Sequence, residues 1–158
     1  MDLASNLRKS FRAILVANGA LIASLLIYAL VIAVVRSQWP SFRGLAPAAL
    51  AQTLRYVFYG LGVVAVVLVR LIGRSPLKPP RENETPLLFI QRLGRSSLLA
   101  AAVAEVPAVL GFILFFLTGS GRDFFYLLFV SLFLEFMFFP RISNWEALIR
   151  ERFPQSGI

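Results

Sequence analysis

The sequence predicts an all-α integral membrane protein in which four transmembrane helices form an antiparallel bundle. Of its 158 residues, 58% are hydrophobic and 15% are charged, whereas a soluble domain has roughly 25% charged residues. The mean hydropathy is +0.76. The charged residues are confined to short segments between long apolar runs, and about 20 apolar residues cross a hydrocarbon core. We therefore predict one membrane domain that covers residues 1–158.

The first apolar run predicts a span at residues 11–35. Arg8, Lys9 and Arg12 precede or begin it, and Arg36 follows it. The run is longer than the roughly 7–15 apolar residues of a signal peptide, and it has no clear small-residue cleavage site. We expect this helix to be retained.

The second span is predicted at residues 48–72. Pro47 occupies the position where a helix can begin. Arg55 and Arg70 lie near the two ends of this run, where long basic side chains can extend to the lipid headgroups. We expect both arginines to do so.

A polar cytoplasmic loop is predicted at residues 74–96. Within it, Thr85 followed by Pro86 is typical of a helix start, with Thr as the cap and Pro at the first helical position. The pattern predicts a short interfacial helix at residues 87–93 that ends near Gly94.

The third and fourth spans are predicted at residues 97–118 and 124–139. The Gly-Ser-Gly sequence at residues 119–121 indicates a tight turn between them. Each of these two apolar runs is interrupted by one carboxylate, Glu105 in the third and Glu135 in the fourth.

The C-terminal segment predicts a short amphipathic helix at residues 143–153. Ser143 and Glu146 have the spacing of a capping box. The predicted apolar face consists of Trp145, Leu148, Ile149 and Phe153. A helix with such a face is expected to lie along the membrane surface.

The distribution of Lys and Arg predicts the topology. Most of these residues lie in the N-terminal tail, the loop at residues 74–96 and the C-terminal tail, and only Arg36, Arg43 and Arg122 lie in the other two connections. Four spans place the three basic segments on one side of the membrane. The positive-inside rule then predicts that both termini are cytoplasmic, and we expect a bacterial cytoplasmic (inner) membrane.

Composition excludes several classes of chemistry. There is no Cys and no His, so disulfides, thiolates, the commonest general base and the commonest transition-metal ligand are excluded. The residual candidate acids for an enzyme, Asp123, Glu82 and Glu84, form no catalytic constellation. We expect no enzymatic activity, no cofactor and no metal site. The net charge of +8 is explained by positive flanks of spans, so no nucleic-acid partner is expected.

The two carboxylates in the apolar runs predict a functional site, because a carboxylate at the bilayer centre costs about 2.5–3.5 kcal/mol. Glu105 and Glu135 each lie 15 residues from Ser120, which predicts equal depth, roughly 22 Å from the turn. If they face each other, they would share a proton or hold a cation together. Asn18 in the first span reaches a similar depth and is a candidate hydrogen-bond donor. Whether the two acids face each other depends on helix rotation, which stays open.

The surroundings of Glu105 predict close helix packing. Small residues recur at helical spacing: Ala100, Ala104, Ala108 and Gly111. Such a face lets helix backbones approach. Pro107 cannot donate a backbone hydrogen bond and frees the carbonyl of Val103, a candidate partner for a proton or a cation. The alternatives are that Pro107 is only a kink and that either glutamate stays protonated and serves packing alone.

The string from Ala104 to Gly111, followed by apolar residues, resembles the ion-carrying helix of rotary ATPase proteolipids, the c subunits. Arg74-Ser75-Pro76 is similar to the Arg-x-Pro loop of that family. This chain differs in its additional first and fourth spans and in lacking a run of alternating Gly in the second. The resemblance implies that Glu105 binds a proton or Na⁺ and that the chain packs against other membrane subunits.

The sequence thus predicts a small membrane subunit that handles protons or monovalent cations, with Glu105 as the carrier and Glu135 as its modulator. The alternative is a non-catalytic accessory or assembly subunit. In that role the alanine face would dock a larger membrane complex, and the basic loop would meet a partner or anionic lipid. The expected partners are the lipid bilayer and either other membrane subunits or further copies of this chain.

Overall fold

The computed structural model describes residues 3–74 and 85–154. The regular structure in these residues is entirely α-helical, which confirms the predicted all-α class. The helices are α1 (Leu3–Gln38), α2 (Ala48–Gly73), α3 (Pro86–Thr118), α4 (Gly121–Met137) and α5 (Ile142–Arg152). Residues 75–84 of the predicted basic loop, including Glu82 and Glu84, lie outside the described residues.

Three helices, α1, α2 and α3, are long and apolar enough to cross a membrane. The helix α4 has 17 residues and meets the same requirement only together with α5, from which it is bent by 46°. The described residues therefore contain three candidate spans, or four if α4 and α5 count as one. α1 and α4 both begin before the predicted starts of their spans, because the helical backbone continues into the polar flanks.

α3 is the central helix of the fold. It packs against α1, α2 and α4, and more of its apolar stretch is buried than in α1 or α2. Each hydrophobic cluster contains residues of α3: Phe89 with α1 and α5, Phe115 with α1 and α4, and Ala104 with α2 and α4. The other helices thus bury their apolar faces mainly on α3.

One end of the molecule, the turn end, contains residues 39–47 and the α3–α4 turn. Gly119 has the left-handed φ of 72° and donates its amide to the carbonyl of Phe115 at 2.7 Å, which ends α3. α4 begins two residues later at Gly121, so the predicted tight turn is confirmed. Only glycine adopts this φ without strain.

The connection between α1 and α2 caps the end of α3. Leu45 and Ala46 donate their amides to the carbonyls of Phe116 and Leu117 at 3.0 and 2.8 Å. Gly44 has a φ of 86°, and a Cβ on it would lie 2.6 Å from the amide nitrogen of Gly119. This contact satisfies carbonyls that a helix C-terminus otherwise leaves free.

The predicted start of α3 is confirmed, because Thr85 is the N-cap and its side chain accepts from the amide of Leu88 at 3.4 Å. The predicted separate interfacial helix at residues 87–93 is wrong. α3 continues through Gly94, where a Cβ would lie 2.9 Å from Cδ1 of Ile14. Gly94 gives room for α1 to cross α3 closely and does not end a helix.

The opposite end of the molecule, the α5 end, is covered by the C-terminal helix. The predicted capping box is wrong, because α5 begins at Ile142 with Arg141 as an N-cap that makes no side-chain cap hydrogen bond. Trp145 and Ile149 are buried against α1 and α3, and the rings of Phe11 and Trp145 are 5.7 Å apart. The apolar face expected on the membrane surface is instead occupied by protein.

Candidate functional site

Glu105 lies in the middle of α3 and is half-buried against α1. The hydroxyls of Ser24 and Tyr28 both donate to its Oε1, and the Tyr28 bond is 3.0 Å long. Ser24 and Tyr28 are four residues apart and therefore share one face of α1. The sequence interpretation missed them, although two hydroxyls at this spacing in an apolar helix were a visible signal.

The Ser24 hydroxyl lets this site accommodate either charge state of Glu105. Its Oγ is also 2.6 Å from the carbonyl oxygen of Leu21, and a hydroxyl has only one proton to donate. An ionised Glu105 accepts that proton. A neutral Glu105 can instead donate to Oγ, and Ser24 then donates to Leu21. The hydrogen bond between Ser24 and Glu105 is therefore kept in both charge states.

Glu135 is buried on α4, with 1% of its surface exposed. Within the described part of the chain, its Oε1 has no hydrogen-bond partner. A buried ionised carboxylate that lacks a donor or a cation costs several kcal/mol. The arrangement therefore favours a neutral Glu135, or one that binds a small cation.

Ser131 joins α4 to the proline position of α3. Its Oγ accepts the amide of Ala108 at 2.8 Å and donates to the carbonyl of Glu105 at 3.4 Å. Pro107 disrupts helical hydrogen bonding here because it lacks an amide proton, and Ser131 supplies a substitute. Pro107 itself is buried.

The contact with Ser131 sets the register between the two acids. Ser131 lies opposite the backbone between Glu105 and Ala108, and Glu135 follows Ser131 by one helical turn. Because Ala104 and Leu134 pack in one cluster, Glu105 and Glu135 differ in depth by about two residues, or roughly 3 Å, which is close to the predicted equal depth. Glu135 lies nearer the α5 end.

The directions of the helices compensate for this offset. Side chains lean toward the N-terminus of their helix. The chain runs toward the turn in α3 and away from it in α4. Glu105 therefore leans toward the α5 end and Glu135 toward the turn end. The two carboxyl groups lie within electrostatic range of each other. The site therefore combines Glu105, which has hydroxyl donors, with Glu135, whose Oε1 has no donor in the described part of the chain.

Asn18 does not join this site. It is buried, with 1% exposed, and its Nδ2 donates to the carbonyl of Ile14 at 2.9 Å. Ser24, which does contact Glu105, is six residues or about 9 Å farther along α1. Asn18 does not make the expected hydrogen bond with Glu105, because Glu105 lies opposite Ser24, farther along α1.

The predicted packing face is used within the chain. Ala100, Ala104, Ala108 and Gly111 are all buried. Ala104 packs with Val69 of α2 and Leu134 of α4, and a Cβ on Gly111 would lie 3.0 Å from Cβ of Leu127. α2 and α4 therefore occupy the face that was predicted to dock a larger complex.

A second acidic cluster lies at the turn end. Arg55 donates through Nε to Oδ2 of Asp123 at 2.7 Å, and Tyr59 donates to Oδ1 at 3.0 Å. The side chain of Asp123 is 7% exposed and that of Arg55 is 40% exposed. Arg55, which was expected to extend to the lipid headgroups, ties α2 to α4. The signal was the placement of both residues near the turn end of their helices.

No family model, curated protein or solved structure matches this chain. Among residues 3–74 and 85–154, no group of three or more His, Cys, Asp or Glu side chains is arranged to hold a metal ion. The function must therefore be argued from the carboxylate site itself.

Proposed function

We propose that this chain is a small membrane subunit that handles protons or monovalent cations through Glu105, with Glu135 as its modulator. The observation that carries the proposal is the hydrogen bonding of Glu105. Ser24 and Tyr28 can serve both its neutral and its ionised form. A carrier must change its charge state repeatedly, and a site that keeps this hydrogen bond in both states lowers the cost of that change.

Glu135 supports the same proposal. A second carboxylate lies close to the first, and two like charges in an apolar layer cost more than one. The pair then holds one proton or one monovalent cation more readily than two full negative charges. The resemblance of residues 104–111 to the proteolipid ion-carrying helix points to the same chemistry.

For the membrane arrangement, we propose four crossings by α1 to α4 in a bacterial inner membrane. The turn end faces outward, and the α5 end faces the cytoplasm with both termini. Arg8 and Lys9 precede the apolar part of α1, and Arg150 and Arg152 end α5, which agrees with the positive-inside rule. The site then lies within the apolar layer.

The alternative role, as an accessory or assembly subunit, loses its main structural argument. The alanine face on which it depended is buried between α2 and α4. Other membrane subunits remain expected partners of the carrier. The reason is that an ion-carrying subunit moves ions along a gradient, and a larger complex uses or creates that gradient. They would have to bind elsewhere on the surface.

The test is ion flux in proteoliposomes that contain the purified chain. We expect a proton or Na⁺ flux driven by an imposed gradient, and we expect Glu105→Gln to reduce it to the level of protein-free liposomes. Gln keeps the size and the hydrogen-bonding capacity of the side chain but cannot exchange a proton. Glu151→Gln is the matched control, since Glu151 is exposed on α5 and should leave the flux unchanged.

Labelling with an apolar carbodiimide accompanies the flux measurement, because this reagent reacts with protonated carboxyl groups inside a bilayer. We expect mass spectrometry to find the label on Glu105 and added Na⁺ to suppress it if Na⁺ is the ion. Normal flux in a folded Glu105→Gln variant would overturn the proposal.

A further inference from the structure

A cavity of 230 Å³ opens at the α5 end of the molecule. It lies between the first half of α3, the bend between α4 and α5, and the last residue of α2. Its lining includes the polar side chains of Ser96, Ser97, Asn144 and Arg141. A cavity with several polar groups and this volume has room for a few water molecules.

The cavity ends close to the carboxylate site. Phe138 lines the cavity and also packs against the cluster of Val69, Ala104 and Leu134. Ala104 and Leu134 are the immediate chain neighbours of the two glutamates. Ala100, another lining residue, precedes Ala104 by one helical turn, or roughly 6 Å. A single layer of side chains therefore separates the cavity from the level of the two acids.

Glu135 needs a source of protons on this side. Its Oε1 is buried and lacks a partner among the described residues. From α2, the side chains that pack beside Ala104 and Leu134 are Val66 and Val69. From α1, the polar groups at Glu105 are the hydroxyls of Ser24 and Tyr28. The ion pair between Arg55 and Asp123 lies at the turn end, away from Glu135. No described cation neutralises Glu135, so a proton is the simplest neutralising charge.

We propose that this cavity is the route by which Glu135 exchanges its proton with water at the α5 end, with Phe138 as the side chain that separates the two. A hydronium ion in the cavity gives one proton to the Glu135 carboxylate, which becomes the neutral acid and leaves water behind. The reverse step returns the proton. That Glu135 then passes the proton to Glu105 rests on the function proposed above.

The test follows the carboxylic C=O infrared band of the protein in lipid during perfusion from H₂O to D₂O. The band that disappears in Glu135→Gln belongs to Glu135, and its downshift reports the exchange of that proton. The chain has no Cys, so Ser97→Cys introduces a unique thiol in the cavity wall. Benzyl methanethiosulfonate attaches a ring there, and a reducing agent removes it.

We expect the attached ring to slow the exchange about tenfold, which corresponds to about 1.4 kcal/mol of added barrier, and reduction to restore the original rate. Because the same folded protein is measured before and after reduction, a loss of rate cannot be misfolding. Ala102→Cys, exposed on the same helix, is the matched control and should show no change. Phe138→Ala should speed the exchange.

Two results would overturn the inference: an unchanged exchange rate in the modified Ser97→Cys protein, or the absence of a carboxylic band that depends on Glu135. Neither result depends on the flux assay. Blocked exchange with normal flux in Glu105→Gln would keep the access route and reject the carrier. Loss of flux in Glu105→Gln with unblocked exchange would reject only the route.

Discussion

Two clusters in apolar helices contain carboxylates, and they differ in what surrounds the negative charge. At the turn end, the carboxylate of Asp123 accepts a hydrogen bond from the guanidinium of Arg55 at 2.7 Å and one from the hydroxyl of Tyr59 at 3.0 Å. In the central site, Glu105 accepts hydrogen bonds from the hydroxyls of Ser24 and Tyr28. Glu135 beside it has an oxygen without any donor among the described residues.

The comparison separates a structural carboxylate from one that can exchange its proton. Arg is always protonated, so its bond with Asp123 holds that carboxylate ionised and fastens α2 to α4. A hydroxyl can donate or accept and therefore does not dictate the charge of Glu105. The hydrogen-bond partners of an acid in an apolar helix therefore indicate whether it serves structure or proton exchange.

The largest expected effect is on stability in Asp123→Asn. Removing one partner of a buried pair costs about 3–5 kcal/mol, and we expect the lower end because Arg55 is 40% exposed. Glu135→Gln, in contrast, should change stability by less than about 1 kcal/mol, since a neutral acid and an amide bury similar groups. Thermal unfolding in detergent measures both.

The double variant Arg55→Gln with Asp123→Asn is the control for this difference. It should recover much of the lost stability, because no unpaired charge remains. If Glu135→Gln destabilised the protein as much as Asp123→Asn does, Glu135 would be a structural charge and the contrast between the clusters would fail.

An intermediate effect is expected for Ser131→Ala. The change leaves the buried amide of Ala108 without its acceptor, at a cost of about 1–3 kcal/mol. Ser37→Ala should be nearly neutral, because that exposed hydroxyl donates only to Val34 within its own helix. Equal unfolding temperatures for the two variants would mean that the bridge between α3 and α4 adds nothing to stability.

The smallest effects on stability are expected for Tyr28→Phe and Tyr59→Phe. Both remove a hydroxyl that donates to a carboxylate at 3.0 Å, so each should cost about 1 kcal/mol. They should differ in function: Tyr28→Phe changes the ion flux through Glu105, and Tyr59→Phe leaves it unchanged. Tyr56→Phe, at an exposed hydroxyl, is the control for both measurements. A loss of flux in Tyr59→Phe would place the turn end in the ion pathway.

Local rules in the sequence anticipated several features of the fold. Apolar runs are a strong signal for helices, because a long uninterrupted run has no other way to satisfy its backbone in a membrane. Thr85 and Pro86 began a helix and the Gly-Ser-Gly turn ended one, since both depend on the backbone preferences of single residues. Glu105 stood out because an acid in such a run is costly.

The partners of these residues were outside the reach of local rules. The pairing of Arg55 with Asp123 and the exclusion of Asn18 from the site depend on how far one helix slides along another. The position of Ser131 opposite the backbone between Glu105 and Ala108 depends on the same variable. A shift of one turn leaves each helix equally apolar and changes every contact between helices.

By itself, the sequence determined an all-helical chain with membrane-length apolar segments and two costly acids, because composition and spacing within one segment decide those properties. Only the tertiary structure decided which side chains surround each acid. Close packing on α3 selects a single register from many that are equally apolar. That register gave Asp123 a cation and Glu105 two hydroxyls, and it left Oε1 of Glu135 without a donor among the described residues.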